Sequence, residues 1–272
     1  MTDIATGVAP VVDPDLVLAD TDADGVLTLT LNRPERRNGW TSELRDAYYA
    51  RLTAAATDRC VRAVVLTGAG TTFCPGADVA HLGDLAQEGA QLPEVAVDVP
   101  RDFPKPIIAA INGACAGVGL VHALFCHVRF AADTARFATS FSRRGLVAEY
   151  GISWTLPRLI GVENALDLLL SGRTFDATEA RELGVVSRVV PRDDLLGVAQ
   201  DYARDLARNC SPAAMSVIAR QVFEDLDTPF DDALARSHGD VNRFIGGPDL
   251  REGLASFMEK RPPRFAPLGG GS

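Results

Sequence analysis

The sequence predicts an α/β fold built on parallel strands, with a last third that is mostly helical. Three observations carry this. Two short runs, residues 61–67 (VRAVVLT) and 105–111 (KPIIAAI), have the near-continuous apolar character of strands covered on both faces. Each run is closed by a glycine-bearing break, Gly68-Ala69-Gly70 or Asn112-Gly113. The second break leads through Gly117-Val118-Gly119 into an apolar helix, so strand, turn and helix alternate. Beyond Asn164 the patterns are helical and end on glycines. A chain of 272 residues accommodates one large domain, or one domain with a small appendage, and buries a substantial core without staples.

Residues 1–15 are rich in Pro, Asp and Ala and read as a loose arm. Residues 25–31 (GVLTLTL) alternate like a strand, which Asn32-Arg33-Pro34 ends. Thr41 or Ser42 caps a helix whose apolar face is Leu44, Ala47, Tyr48 and Leu52. The 61–67 strand follows, then a turn over 73–78 (FCPGAD) that leads to a helix candidate. Residues 83–103 carry no clear period. The 105–111 strand gives way to a helix over 120–126 and a third strand over 128–132. Residues 165–172 (ALDLLLSG) and 178–183 predict helices stopped by Gly172 and Gly184. Residues 195–207 are amphipathic. Ser211 caps, and Pro212 opens, a helix reaching Val222, and residues 229–260 hold two more. The closing GGGS resembles a flexible linker and lies outside the fold.

Composition removes several function classes. Net charge is −9 and no Lys/Arg-rich block occurs, so no nucleic-acid partner is expected. No apolar run is long enough to span a bilayer and the N-terminus lacks the pattern of a signal peptide, so the expectation is a cytoplasmic protein without a membrane partner. The five cysteines (60, 74, 115, 126, 210) form no C-x-x-C, and the four histidines (81, 122, 127, 238) form no H-x-x-x-H. Packed thiols and no metal site are expected.

Two turns stand where chemistry needs backbone donors: 74–78 (CPGAD) and 113–120. Each follows a strand and precedes a helical pattern, and a helix N-terminus presents unpaired N–H groups with partial positive charge. Converging, they would form an oxyanion hole; otherwise they are tight connections. No third glycine completes a dinucleotide fingerprint after Gly119, and no G-x-S-x-G elbow occurs. A further oddity is Glu149 in RRGLVAEYGISW (143–154), a carboxylate among apolar neighbours. Such an acid is exposed, paired or used. As exposed or paired, it is a loop acid or a partner of Arg143 or Arg144.

Six segments resemble, in order and spacing, the signature segments of the crotonase (enoyl-CoA hydratase/isomerase) superfamily: NRPERRN (32–38), TTFCPGADVAHL (71–82), KPIIAAINGACAGVGL (105–120), ARFATSF (135–141), LPRLIG (156–161) and ASFMEKRPPRF (255–265). The resemblance implies a crotonase-like spiral of β-β-α units over residues 16–195 that binds acyl-CoA and carries catalysis. It also implies a helical C-terminal region over 196–266 for trimerisation and CoA cover, with loose ends at 1–15 and 267–272. It implies a homotrimer or dimer of trimers acting on an acyl-CoA thioester, with coenzyme A entering as part of the substrate and no separate cofactor. By position, the oxyanion donors would be the N–H groups of Ala77 and Val118. Arg33, Arg36, Asp78 and Leu82 would lie along the CoA, and Phe257 and Lys260 would help cover it; for Lys260 a solvated helix charge is the alternative.

The family's hydratases carry their two glutamates at the positions of Val121 and Phe141, and neither is acidic here. Hydration by two carboxylates needs one to activate water and one to deliver a proton. Glu149 resembles instead the single catalytic carboxylate of Δ3,Δ2-enoyl-CoA isomerases in the family, with Ala148 where a proline is usual. The resemblance therefore implies an isomerase with Glu149 as the one acid/base. A hydratase or other enolate reaction using Glu149 with water or Tyr150 is the alternative. A non-catalytic acyl-CoA-binding protein is the reading from another class. Trp40, Val121, His122, Phe141, Tyr150 and Trp154 are the candidates for lining the acyl pocket, with a packing role the alternative for Trp40 and His122. His127, where the family usually has an aspartate, reads as structural.

Overall fold

The computed structural model describes residues 13–78, 83 and 99–269. Its frame is two sheets that share the chain in alternation. The larger has the strand order β1-β2-β3-β5-β7-β10: β1 Val17–Thr21, β2 Val26–Leu31, β3 Ala63–Gly68, β5 Ile107–Ile111, β7 Val128–Ala132 and β10 Arg188–Val190. The smaller has the order β4-β6-β8-β9: β4 Thr72–Cys74, β6 Ala114–Ala116, β8 Arg136–Ala138 and β9 Thr174–Asp176. Apart from β1 on β2 and β9 on β8, the pairings are parallel. Each pass through the chain gives one strand to each sheet, first β3 and β4, then β5 and β6, then β7 and β8. This is the predicted spiral.

The apolar runs read from the sequence are the middle of the large sheet. All six residues of β3 and all five of β5 are buried, as strands covered on both faces require. Helix α1, Ser42–Thr57, starts where Thr41 accepts the Leu44 N–H, and buries Leu44, Ala47, Tyr48, Leu52 and Ala55. Helix α2, Val118–Phe125, follows β6 and is buried along its whole length. Helices α3 (Ile152–Ile160), α4 (Val162–Ser171) and α5 (Ala177–Leu183) complete the connections, α4 and α5 ending on left-handed Gly172 and Gly184.

Helix α6, Leu195–Asn209, packs on the large sheet and buries Leu195, Ala199, Ala203 and Ala207. This helix begins at the expected 195/196 division and packs on the sheet. Helices α7 (Pro212–Asp225, capped by Ser211 with Pro212 in its first turn), α8 (Phe230–Ile245) and α9 (Pro248–Glu259) follow. Among the described residues they bury little, and leave Ile218, Val222, Phe230, Val241, Ile245 and Phe257 exposed.

One expectation needs correction. Phe73 and Cys74, read as a turn, belong to β4; the helix expected after Asp78 lies outside the described residues. Strands β1, β6, β8, β9 and β10 carried no strand reading. No helix among the described residues is long and apolar enough to cross a membrane, and no group of three or more His, Cys, Asp or Glu there could hold a metal ion.

Candidate active site

The two turns singled out in the sequence meet. Beyond β4 the chain runs Pro75-Gly76-Ala77 alongside Trp40: the Trp40 N–H donates to Gly76 O at 2.9 Å, and Trp40 O accepts from Asp78 N at 2.9 Å. In a parallel bridge the bonds come from the residues flanking the bridged one, so the N–H of Ala77 itself points away from Trp40. Val118 is the first residue of α2, where an N–H has no acceptor within the helix.

Glycine permits this convergence. Gly76 has φ 110, a conformation L side chains rarely adopt. A Cβ on Gly119 would stand 2.2 Å from Cys74 O, so only a glycine lets the first turn of α2 press against the end of β4. A Cβ on Gly117 would lie 3.7 Å from Gly76 Cα, which measures how closely the two turns approach.

They border a cleft enclosing about 400 Å³, part of it open to solvent, lined by Pro75, Gly76, Ala77, Gly117, Val118, Thr139, Ser140, Phe141, Arg144, Leu146 and Glu149. Its far wall is the connection from β8 to α3. Ser140 there has φ 62, and the Arg144 and Leu146 N–H groups both donate to Phe141 O. Gly145 (φ 70), Tyr150 (φ 50) and Gly151 (φ 74) are all left-handed, and the Ile152 N–H donates to Glu149 O at 3.0 Å. Glu149 lines the same cleft as Ala77 and Val118. Its carboxyl is pushed above the ordinary carboxylate range by burial. Among the described residues it forms no ion pair with Arg143 or Arg144; Arg143 donates to Ser171 O and Arg144 to Ser140 O.

Phe141 lines the cleft, while Trp40, Val121 and His122 are buried in the layer behind it and do not appear among its lining residues. The His122 ring lies 4.2 Å from the Trp40 ring, with Tyr48 and Tyr49 beside it. Tyr150 is half-buried against the core, and burial raises its hydroxyl pKa, with the adjacent Glu149 carboxylate adding to it. Trp154 is turned elsewhere: Arg158 and Arg101 cover its ring at 4.2 and 5.4 Å, and it is not a lining residue. Arg33 and Arg36 both reach Asp78, at 3.7 and 3.2 Å, so these three form one cluster beside Ala77. Leu82 lies outside the described residues. Phe257 is 83% exposed on α9 and Lys260 closes that helix in a left-handed cap, neither lining the cleft. His127 accepts the Ile107 N–H on Nδ1, bordering β5.

The sequence reading missed Pro75, Thr139, Ser140 and Leu146 as lining residues, and weighed Arg144 only as an acid's partner. Their signal was proximity in sequence to Ala77, Phe141 and Glu149; nothing in their residue types marks them.

The spiral of strands brings two glycine turns and, among the described lining residues, one carboxylate to a single cleft. The family model for enoyl-CoA hydratase/isomerase matches residues 21–267, and the chain belongs to that family. It is 34% identical over 252 residues to 1,2-epoxyphenylacetyl-CoA isomerase of Escherichia coli (strain K12), covering 89% of this chain and 95% of the relative. An enoyl-CoA hydratase from Polaromonas sp. JS666 superposes with a TM-score of 0.85 at 32% identity, covering 92% of this chain and 99% of that one. An enoyl-CoA hydratase from Mycobacterium marinum is 47% identical with a TM-score of 0.69, covering 79% and 100%.

Proposed function

We propose that this chain moves the double bond of an enoyl-CoA thioester from Δ3 to Δ2, with Glu149 as the single acid/base. The observation that carries the reading is the make-up of the cleft. Among the described residues that line it Glu149 is the one carboxylate, and Phe141 and the buried Val121 supply none at the positions where the family's hydratases are acidic.

The Glu149 carboxylate takes a proton from C2 of the 3-enoyl thioester. The electron pair of the broken C–H bond forms C1=C2 and the C=O π pair moves to the thioester oxygen, which carries the charge between the two steps; as the carbonyl re-forms, the C1=C2 pair becomes C2=C3 and the former C3=C4 pair takes the proton back at C4. The N–H groups of Ala77 and Val118 receive that oxygen. A carboxyl with a raised pKa serves both halves, since it must give back the proton it takes. The two guanidiniums of Arg33 and Arg36 against the single Asp78 carboxylate offer net positive charge to the phosphates of CoA, which enters as part of the substrate. Copies of the chain associate through the C-terminal helices as a trimer or dimer of trimers, bringing Phe257 and Lys260 over a neighbour's CoA.

The test is conversion of a 3-enoyl-CoA to the conjugated 2-enoyl-CoA, followed by the absorbance of the conjugated thioester, for wild type and Glu149→Gln. Loss of the base lowers the rate by about 10²–10⁴. Equal rates would sink the assignment. The relatives named as hydratases favour a second reading, water addition with Glu149 assisted by Tyr150. It predicts instead that a 2-enoyl-CoA loses its conjugated absorbance on incubation with the enzyme.

A further inference from the structure

Behind the two donors lies a polar cluster that the proposed proton transfer does not use. His122 sits in the middle of an otherwise apolar helix, α2, and is only 3% exposed. Burying a polar ring there is costly unless both nitrogens are bonded. Both are: Nδ1 lies 2.8 Å from Val118 O and Nε2 lies 2.9 Å from the Tyr49 hydroxyl. A carbonyl oxygen only accepts, so Nδ1 carries the proton. Burial pushes the ring's pKa down to about 4, so at neutral pH the ring is uncharged and Nε2 accepts from the Tyr49 hydroxyl.

This imidazole is linked to both donor residues, to Val118 directly and to Ala77 through Trp40. Its Nδ1–H holds the carbonyl of Val118, whose own N–H is one donor. Its face lies against the ring of Trp40 at 4.2 Å. Trp40 in turn grips Gly76 O and Asp78 N at 2.9 Å each, the two groups that bracket Ala77, the other donor. The first turn of α2 and the segment after β4 are thereby tied through one ring. Tyr49, on α1, fixes that ring from its other nitrogen.

We propose that His122 is a positioning residue that sets the spacing of the two oxyanion donors, with Tyr49 holding its ring orientation and Trp40 transmitting it to Ala77. The proposal rests on the reading that the Ala77 and Val118 N–H groups receive the thioester oxygen. Such donors act only when they stand about 2.7–3.1 Å from the developing oxyanion, so displacements of tenths of an ångström matter. A leucine at 122 fills a similar volume but holds neither Val118 O nor the Tyr49 hydroxyl.

The test uses butanoyl-CoA labelled with ¹³C at the thioester carbonyl, a saturated ligand that binds without turning over. In the wild type the carbonyl resonance moves on binding as the two N–H groups polarise it. In His122→Leu at least half of that displacement is lost. With an enoyl-CoA substrate, kcat falls by about 10-fold or more while KM stays within about 3-fold, short of the 10²–10³ expected for a missing donor. His122→Asn, whose amide N–H occupies the place of Nδ1–H, recovers part of both losses. Tyr49→Phe, a smaller change, shifts the resonance in the same direction as His122→Leu. Wild-type displacement and kcat in both His122→Leu and Tyr49→Phe would overturn the positioning role. No displacement in the wild type would overturn the oxyanion reading itself, and the positioning role with it.

Discussion

At the scale of single residues, the partly buried Glu149 carries a cost in stability. Burial alone raises its pKa. A carboxyl whose folded pKa is raised binds its proton more tightly in the folded state, so folding stability falls as pH rises from the ordinary carboxylate value through the raised one. In its ionised form the side chain is therefore a burden on the fold. Glu149→Gln should therefore lose activity and gain thermal stability together, with a melting temperature about 1–3 °C higher at pH 7 and a smaller gain in acid. Calorimetry at two pH values checks this; a midpoint lowered at pH 7 would show that the carboxylate stabilises the fold instead. In the wild type, kcat/KM should fall on acidification with an inflection above the ordinary carboxylate value, because the base must be ionised in the free enzyme. The donor side has its own test. Val118 is the first residue of α2, where proline fits the helix and removes only an N–H that has no partner within it. Val118→Pro should keep the far-UV circular dichroism of the wild type and lose about 10²–10³ in kcat. Unchanged kcat would show that the Val118 N–H binds no oxyanion.

At the scale of elements, what was legible in the sequence follows from length. Strands β3, β5 and β7, each five or six residues long, left an apolar run that could be read. Helix α1 announced itself by its cap and apolar face, and α7 by Ser211 and Pro212. The small sheet did not, because β4, β6, β8 and β9 have three residues each, too few to show a period of two. Their pairing is set by the spiral and not by local preference. Of the site, the two glycine turns and Glu149 were legible as oddities, while Trp154 misled. An aromatic residue near a catalytic candidate reads as pocket wall, but Arg158, one turn along the same helix, and Arg101 cover its ring. The contact between α2 and β4 depends on Gly119, whose added Cβ would stand 2.2 Å from Cys74 O. Gly119→Ala must push the first turn of α2 away from the Ala77 segment. The expected cost is about 1–3 kcal/mol of stability by urea unfolding, with a fall in kcat larger than any rise in KM. Wild-type stability would show that the two elements do not bear on each other at this point.

At the scale of the whole molecule, the chain as a single copy leaves its C-terminal helices unfinished. Ile218, Val222, Val241 and Ile245 are each more than half exposed, and Ile218 and Val241 border an apolar groove between α7 and α8. Val147, Val162 and Leu170 are exposed as well. Soluble monomers rarely carry so many large apolar side chains on their surface without a partner. Association of identical copies would bury them at about 25 cal/mol for each Å² of apolar surface removed from water. Light scattering at micromolar concentration should therefore give a mass three or six times the 29.0 kDa of one chain. The double variant Ile218→Glu, Val241→Glu places two carboxylates on that face, each of which would need a partner once buried. Its mass should fall toward that of one chain, its melting temperature should drop, and its KM for an acyl-CoA should rise if a neighbour's Phe257 and Lys260 help cover the nucleotide. A wild-type mass of 29.0 kDa would remove the assembly and the shared CoA cover together. An assembled double variant would move the interface to another face while leaving the cleft chemistry untouched.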